Sequence, residues 1–410
     1  MKQSQLFTKT RKQIPADAQS INHQLLIKGG FVEQLSAGVY VWLPLGLRVL
    51  NKINTVIRDE LNAIGAQEVS MPSLISKTNW EKTDRWENVD VLFKTKSQTD
   101  KEYGLGFSHE EVVTPLAKEF IASYKDLPLA LYQIQTKFRD ELRAKSGVLR
   151  GREFGMKDLY SFHATEKDFL SYYETVKKTY LTIFKRLGLT HIKITEASGG
   201  SFTKKHSHEF NVLTPAGEVD LLYCNACTFA QNTEITSRKV GETCPVCEKG
   251  ALTLGKAIEV GNIFDLGTKF AQNFDLYFTD KSGQRHLVLM GCYGIGNTRL
   301  VGTIVEMSHD DKGIMWPKEV APFSVHLISL PGGEEKASQL YSELTGHHID
   351  VLWDDRDVSA GQKFADSDLI GIPVRLVVSQ KTGVQVEVKH RSKHESQLVD
   401  TQQVLELIKK

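Results

Sequence analysis

Two Cys-x-x-Cys pairs constrain this chain more tightly than any other feature: Cys224 with Cys227 and Cys244 with Cys247, with sixteen residues between the pairs. That is the spacing of a two-knuckle ribbon, in which four thiolates close around one tetrahedral zinc and the intervening segment folds back on itself. Disulfides are the alternative, and they need an oxidising compartment. The segment 1–16 is polar and has no apolar signal core, so a cytoplasmic protein with a structural zinc is expected. No apolar run approaches the roughly 20 residues of a membrane span. No membrane partner is expected.

At 410 residues the chain exceeds what one hydrophobic core usually supports, so two or three domains are expected. Leu47, Leu50, Ile53, Val56, Ile57 and Leu61 recur with helical period and stop at Gly65; a strand over 67–71, ended by Pro72, should follow. Thr165-x-x-Asp168 resembles a helix cap. Behind it Phe169, Tyr172, Tyr173, Val176, Tyr180, Ile183, Phe184 and Leu187 mark one buried helix face that ends at Gly188. Short β-type runs at 131–138, 158–163, 209–213 and 219–223 predict an antiparallel sheet with flanking helices, an α+β arrangement. Beyond Pro317 and Pro322 the rhythm changes. Strand-like runs at 325–330, 349–353, 374–379 and 384–389 alternate with helical stretches near 334–345, 361–370 and 401–409, which predicts a compact α/β domain from residue 321 onward.

The formal net charge is only +1, so nucleic-acid binding must rest on local patches. Residues 137–157 hold seven Lys or Arg against three acids; a solvated loop is the plain alternative. Within that stretch Phe138-Arg139-Asp140-Glu141 and Arg150-Gly151-Arg152-Glu153-Phe154 put arginines, an acid and an aromatic on what reads as a hairpin. Arginine's planar fork suits phosphate, a carboxylate accepts from an amino group, and an aromatic stacks on a base. A second cluster, Gly291-Cys292-Tyr293-Gly294-Ile295-Gly296, followed by Arg299 at the head of an apolar helix, reads equally as a phosphate cradle or as a packed turn.

Together these stretches resemble the signatures of class II aminoacyl-tRNA synthetases: helix 47–64 with Pro72 as the dimer-interface motif, 138–141 as the second motif and 291–299 as the third. Phe107-Ser108-His109-Glu110-Glu111, Gly199-Gly200-Ser201, Ser207-His208-Glu209-Phe210, Glu259-Val260-Gly261 and Leu266-Gly267-Thr268-Lys269 are similar to the bacterial-type prolyl-tRNA synthetases. Asp354-Asp355-Arg356 and Leu369-Ile370-Gly371-Ile372-Pro373 are similar to that family's anticodon-binding domain. The resemblance implies a catalytic domain over 1–320 built on the class II synthetase fold, a zinc-ribbon-like insertion at 220–252, and an anticodon-binding domain over 321–410. It implies a homodimer that activates L-proline with ATP and Mg2+ and passes it to the 3′ end of the tRNA for proline. Arg139 and Arg299 would be catalytic. Glu141, Arg150, Arg152 and Phe154 would join them around ATP, and Ser108, Glu110, Arg139, Asp158, Tyr160, His163 and Cys292 would hold proline. For His163 a purely structural role is an open alternative.

Two departures from the family pattern bear on the site. Ser108 stands where the proline loop commonly has threonine, and Asn262 follows Gly261 where histidine is common. Only 47 residues separate Phe210 from Ile258, and the cysteine ribbon occupies much of that span, so no inserted editing domain is expected. The C-terminal domain has ten Lys or Arg against thirteen acids over 323–410; anticodon bases would be read by stacking and base-edge contacts, with the cluster 389–393 as a candidate phosphate contact. A sister class II enzyme for threonine, histidine or glycine, and a catalytically silent tRNA-binding regulator, are the rival readings.

Overall fold

The computed structural model describes residues 1–15, 18–200, 202–203 and 206–409; Ser201 of the Gly199-Gly200-Ser201 motif lies outside them. The chain divides into a central unit, residues 36–39 and 54–303, and a terminal unit, residues 1–35, 40–53 and 304–410.

A nine-stranded sheet organises the central unit. In chain order its strands are β1 (Gln67–Glu68), β2 (Leu129–Phe138), β3 (Glu153–His163), β4 (Ile192–Ser198), β5 (His206–Leu213), β6 (Val219–Cys224), β7 (Ala230–Asn232), β8 (Leu252–Gly267) and β9 (Leu289–Ile295). The order is β7-β6-β8-β9-β3-β2-β1, and the sixteen-residue β8 also takes β5, which in turn pairs with β4. The sheet is mixed rather than wholly antiparallel. β1 runs parallel to β2, with Gln67 opposite Leu131, and the long segment 69–128 between them supplies the crossover that a parallel pair requires; helix α1 (Pro44–Ala63) precedes β1. The strand expected over 67–71 is correspondingly cut to two exposed residues.

The glycine-rich run from 291 corrects both of its sequence readings. It is neither a phosphate loop nor a turn but β9, paired along both edges in the middle of the sheet. Gly291 is there for close packing. A Cβ on Gly291 would lie 2.3 Å from the Tyr293 hydroxyl, which is itself hydrogen-bonded to Ser161 at 2.8 Å.

One sheet face is sealed by helix α3 (Glu166–Arg186), capped as expected by Thr165, whose hydroxyl accepts from the Asp168 N–H at 3.2 Å. Phe169, Tyr173, Val176, Tyr180, Ile183 and Phe184 are its buried stripe, and Tyr180 and Phe184 pack their rings on Phe210 at 5.2 and 5.6 Å. Burying such aromatic side chains stabilises by roughly 1.5–3 kcal/mol each. The opposite face carries helix α2 (Glu110–Lys118) and leaves a cavity over β9, into which helix α4 (Asn297–Met307) directs its first turn.

In the terminal unit, β10 (Val325–Ser329), β11 (Val351–Asp354), β12 (Val374–Val378), β13 (Val386–His390) and β14 (Ser396–Val399) form a sheet of order β11-β10-β12-β13-β14, whose first three strands are parallel. Helices α5 (Glu334–Gly346), α6 (Ala360–Ile370) and α7 (Thr401–Lys409) alternate with them, which is the α/β rhythm expected from the sequence. Val325, Leu327, Leu340, Val351, Leu376, Val388 and Val404 form its core. Gly371 ends α6 at φ +78°, and a Cβ there would sit 2.1 Å from the Ile314 carbonyl oxygen, so only glycine fits. Within the 389–393 cluster, Arg391 is already engaged by Asp310 at 2.7 and 2.5 Å.

Candidate active site

Side chains alternate across a strand, and in β2 this brings Gln133, Gln135, Lys137 and then Arg139 onto the face opposite α3. Across the pairing they meet Asp158, Met156 and Phe154 of β3. β9 lies next, with Cys292 opposite Tyr160 and Gly294 opposite Asp158, and then β8, with Phe264 opposite Cys292 and Asn262 opposite Gly294. This four-strand face floors a cavity of about 330 Å³ walled by Ser108, Gly199, Gly200, Phe202 and Arg299. A second cavity of about 470 Å³ shares Arg139, Glu259 and Arg299 with the first and adds Glu141, Arg150, Glu209 and Glu218. Both are in the size range of small-molecule sites.

Arg139 stands at the junction. Its guanidinium lies 5.2 Å from the centre of the Phe154 ring, and its Nε is buried without a hydrogen-bond partner among the described residues. Burial, and then the facing charge of Arg299, push its pKa down. Arg299 is held at α4 by two carbonyl oxygens, donating from Nε to Leu149 at 2.9 Å and from Nη1 to Glu259 at 2.8 Å. Arg150 spans Glu141 at 2.7 Å and Glu218 at 2.9 Å, which pins the hairpin loop. In the second cavity burial, and then the neighbouring charge of Glu259, push the Glu209 carboxyl up to about 8.

Beneath the first cavity lie two buried charge clusters. In one, Lys137 places its ammonium 2.9 Å from Asp158 Oδ1 and donates to His109 Nδ1 at 2.6 Å. Asp158 Oδ2 also accepts from the Tyr160 hydroxyl at 2.9 Å and from Gln133 at 3.0 Å. Burial opposes the Asp158 charge, yet Lys137 and these hydrogen bonds outweigh it and hold the carboxyl below its ordinary value. Burial and the Lys137 charge keep His109 neutral, with its pKa near about 4. The Tyr160 hydroxyl accepts in turn from the His109 N–H at 2.8 Å and stands 3.4 Å from the Ser108 hydroxyl. In the other cluster Arg85 pairs with Glu110 at 2.9 Å and Glu111 at 3.2 Å. Oε1 of Glu110 is left without a hydrogen-bond partner among the described residues. Burial and the Glu110 charge push the adjacent Cys292 thiol up, so it is neutral.

The structure thus brings together Ser108, Arg139, Phe154, Asp158, Cys292 and Arg299 on one cavity, and Glu141 and Arg150 on its neighbour, with Tyr160 and Glu110 immediately behind. Two expected residues stand elsewhere. His163 falls on the opposite face of β3 from Asp158 and Tyr160, because an odd step along a strand reverses the side chain; it bonds Asp168 at 2.5 Å and packs on Phe169 and Tyr172. Arg152 is turned to the backbone, donating to the Glu141 carbonyl at 2.9 Å. Lys137, Gln133 and Arg85 were missed by sequence reasoning. The strict polar alternation 133-135-137-139 was a usable signal for the first two, since a strand buried on both faces is ordinarily apolar; nothing local signals Arg85.

The four cysteine sulfurs gather at the end of β6 and the start of β8, all within 4.8 Å of one another, with Cys224–Cys247 at 3.7 Å and Cys227–Cys244 at 3.5 Å. None is disulfide-bonded. Tetrahedral Zn–S bonds of about 2.3 Å put sulfurs about 3.8 Å apart, so the donor set fits. The Ala226 N–H directed at Cys224 Sγ, at 3.3 Å, is suited to a thiolate.

A sheet of this order, with an arginine-bearing hairpin and an arginine-led helix converging on one cavity, defines a class II aminoacyl-tRNA synthetase. The family described as tRNA synthetase class II core domain (G, H, P, S and T) matches residues 93–308, and the anticodon binding domain family matches residues 321–410. Within that class the chain belongs to the prolyl-tRNA synthetases. It is 41% identical over 407 residues to the proline–tRNA ligase of Wolbachia pipientis wMel, covering 96% of each chain. It is 33% identical to that of Caldicellulosiruptor saccharolyticus over 560 aligned positions, covering all of this chain and 98% of the relative. The latter alignment is longer than this chain while both ends are matched, so the relative's extra residues lie inside it. Among solved structures, prolyl-tRNA synthetase from Cryptosporidium parvum complexed with L-proline and AMP superposes with a TM-score of 0.77 at 19% identity, covering 95% of this chain and 74% of that one. That from Giardia lamblia in complex with prolyl-adenylate gives 0.77 at 20%, covering 94% and 75%.

Proposed function

We propose that this chain condenses L-proline with ATP to prolyl-adenylate and pyrophosphate, and then transfers the prolyl group to the 3′ end of the tRNA for proline. The observation that carries the site assignment is Arg139: a buried guanidinium with an unpaired donor at the junction of two cavities is poised for an anion that spans them. It binds the substrate carboxylate and the α-phosphate and stabilises the charge that develops as one attacks the other. Phe154 stacks on adenine, Arg299 offers the ring's other face or the outer phosphates, and Glu141 accepts from the adenine amino group while Arg150 holds it in place. Magnesium arriving with ATP relieves the repulsion between Glu209 and Glu259.

For proline itself, charge accounting favours Glu110 over Asp158 as partner of the secondary ammonium. Asp158 is neutralised by Lys137, whereas Arg85 must serve two carboxylates and Glu110 keeps one oxygen without a hydrogen-bond partner among the described residues. Ser108 supplies a second acceptor, and Cys292 contributes a neutral wall. The four cysteines hold a structural zinc that locks the ribbon. The terminal-unit sheet binds the anticodon, and Val41 and Leu47, apolar yet 47% and 45% exposed, are consistent with a homodimer contact. A cytoplasmic address accords with free thiols. Amino-acid-dependent pyrophosphate exchange across the twenty amino acids is the test: proline alone should stand out, while silence throughout would instead favour a tRNA-binding regulator.

A further inference from the structure

The wall of the first cavity holds a polar side chain, Asn262, that the reaction leaves unused. Across the cavity floor Gly294 lies between Asp158 and Asn262 in register. A Cβ on Gly294 would meet nothing nearer than 3.9 Å, so the floor there is an open trough. On one side of the trough, Asp158 is ion-paired with Lys137 through Oδ1 and accepts from Tyr160 and Gln133 at Oδ2. On the other, Asn262 lines the cavity with an amide whose Oδ1 is buried and has no hydrogen-bond partner among the described residues. An unpaired buried polar group is costly, and in a binding cavity it marks a place where a ligand group belongs.

The charges of the cavity orient an amino acid. With its carboxylate on Arg139 and its ammonium toward Ser108 and Glu110, its side chain is directed at the remaining wall. That wall is Asn262 together with Phe202 and Phe264, whose rings stack at 4.7 Å with an interplanar angle of 27°. A plain pyrrolidine ring satisfies the two aromatic rings but offers the amide nothing. A hydroxyl on the ring does, and because it both donates and accepts it pairs with the amide in either flip state.

We infer that Asn262 is a specificity-determining residue that admits ring-hydroxylated proline, 4-hydroxyproline, as a second substrate; the inference rests on the proline-activating reading above. The chemistry is unchanged. The carboxylate oxygen of hydroxyproline bonds the α-phosphorus of ATP, and pyrophosphate leaves with its electron pair.

The test is pyrophosphate exchange with proline and with each 4-hydroxyproline epimer, on the full-length wild type and on Asn262→Leu and Asn262→Ala. The readout is the ratio of kcat/KM for hydroxyproline to that for proline. Since the amide oxygen has no hydrogen-bond partner among the described residues, both variants should fold, which melting curves check. The ratio should fall at least tenfold in both, because each removes the polar partner whether it fills the space or empties it. A wild type that turns over proline but neither epimer overturns the inference. So does a ratio that falls with Leu and not with Ala, which would be steric exclusion, and so does one that moves in neither. Silence with every amino acid, proline included, sinks the parent reading instead, and this one with it.

Discussion

Replacing Arg139 with alanine separates catalysis from architecture, because in the free protein this side chain contributes little to the fold. Its guanidinium makes one cation–π contact with Phe154, worth about 0.5–2 kcal/mol. Against that, Arg139→Ala removes a buried unpaired donor, whose burial costs about 1–3 kcal/mol, and relieves the charge of Arg299 facing it. The two sides nearly cancel, so stability should stay within about 1 kcal/mol and the melting temperature within about 4 °C. The chemical loss is of another order. One preorganised donor on a developing charge is worth about 10²–10³ in rate, and a guanidinium offers a fork of them, so proline-dependent pyrophosphate exchange should fall by about 10³ or more. Binding of the tRNA, measured by fluorescence anisotropy, should change little. A fall in melting temperature of about 10 °C accompanied by less than a tenfold kinetic defect would refute the reasoning and reduce Arg139 to a brace of the hairpin.

Lys137→Met should destabilise the central unit by about 3–5 kcal/mol, since it strands the Asp158 charge in the interior; the double variant with Asp158→Asn should recover much of that in urea titrations, and equal stability of the two would contradict the pairing. Protein purified without chelator should carry one zinc per chain by elemental analysis, and any single Cys→Ser change at 224, 227, 244 or 247 should abolish that stoichiometry. His109 and His326 are both held neutral by burial with pKa values of about 4, whereas in the unfolded chain histidine titrates near ~6.5. The unfolded state therefore binds the extra protons between those values, and stability is complete above about pH 6.5 and falls as pH drops toward about 4. His326→Leu should flatten that fall in urea midpoints taken across the window; an unchanged slope would count against it.

The features legible in the sequence are those whose cause is local. The stripe of α3, its Thr165 cap, the strand-helix alternation of the terminal unit and the cysteine knuckles each follow from spacing within one segment, and each is found where spacing put it. What escaped depends on register between distant segments. Strand β9 reads as a loop because of its glycines, yet Gly291 is required by the hydroxyl of Tyr293, a packing fact invisible along the chain. Lys137 becomes an interior ion only because β2 and β3 pair so that Asp158 lies within reach. Arg85 meets Glu110 and Glu111 only once α2 has docked, and no periodicity links them. His163 is the instructive case, because parity along β3 alone separates it from Asp158 and Tyr160. A histidine is chemically suited to a binding site, but its position on the strand decides which face it serves.

Fidelity is where the structure bears on a consequence of length. The 47 residues between Phe210 and Ile258 are taken up by the end of β5, by β6 and β7, by the two cysteine knuckles and by the start of β8. No stretch is left for a second, hydrolytic domain. The proline cavity must therefore discriminate on binding alone. Alanine lacks two of the ring methylenes of proline, and each missing methylene is worth only about 1–3 kcal/mol in an apolar pocket, or about thirtyfold to about 10⁴-fold for the pair. On the proposed placement of proline, nothing among the described residues of the cavity penalises the smaller side chain, since the trough over Gly294 stays open and Glu110 and Ser108 would accept from a primary ammonium as readily as from a secondary one. Alanine should accordingly be activated at a low but measurable rate and reach the tRNA for proline, and the product should persist. Preformed alanyl-tRNA bearing the proline anticodon, incubated with the purified enzyme, decides this. Its half-life should equal that in buffer, and release of alanine that accelerates with enzyme concentration would mean that a deacylating site exists in a region where the fold has room for none.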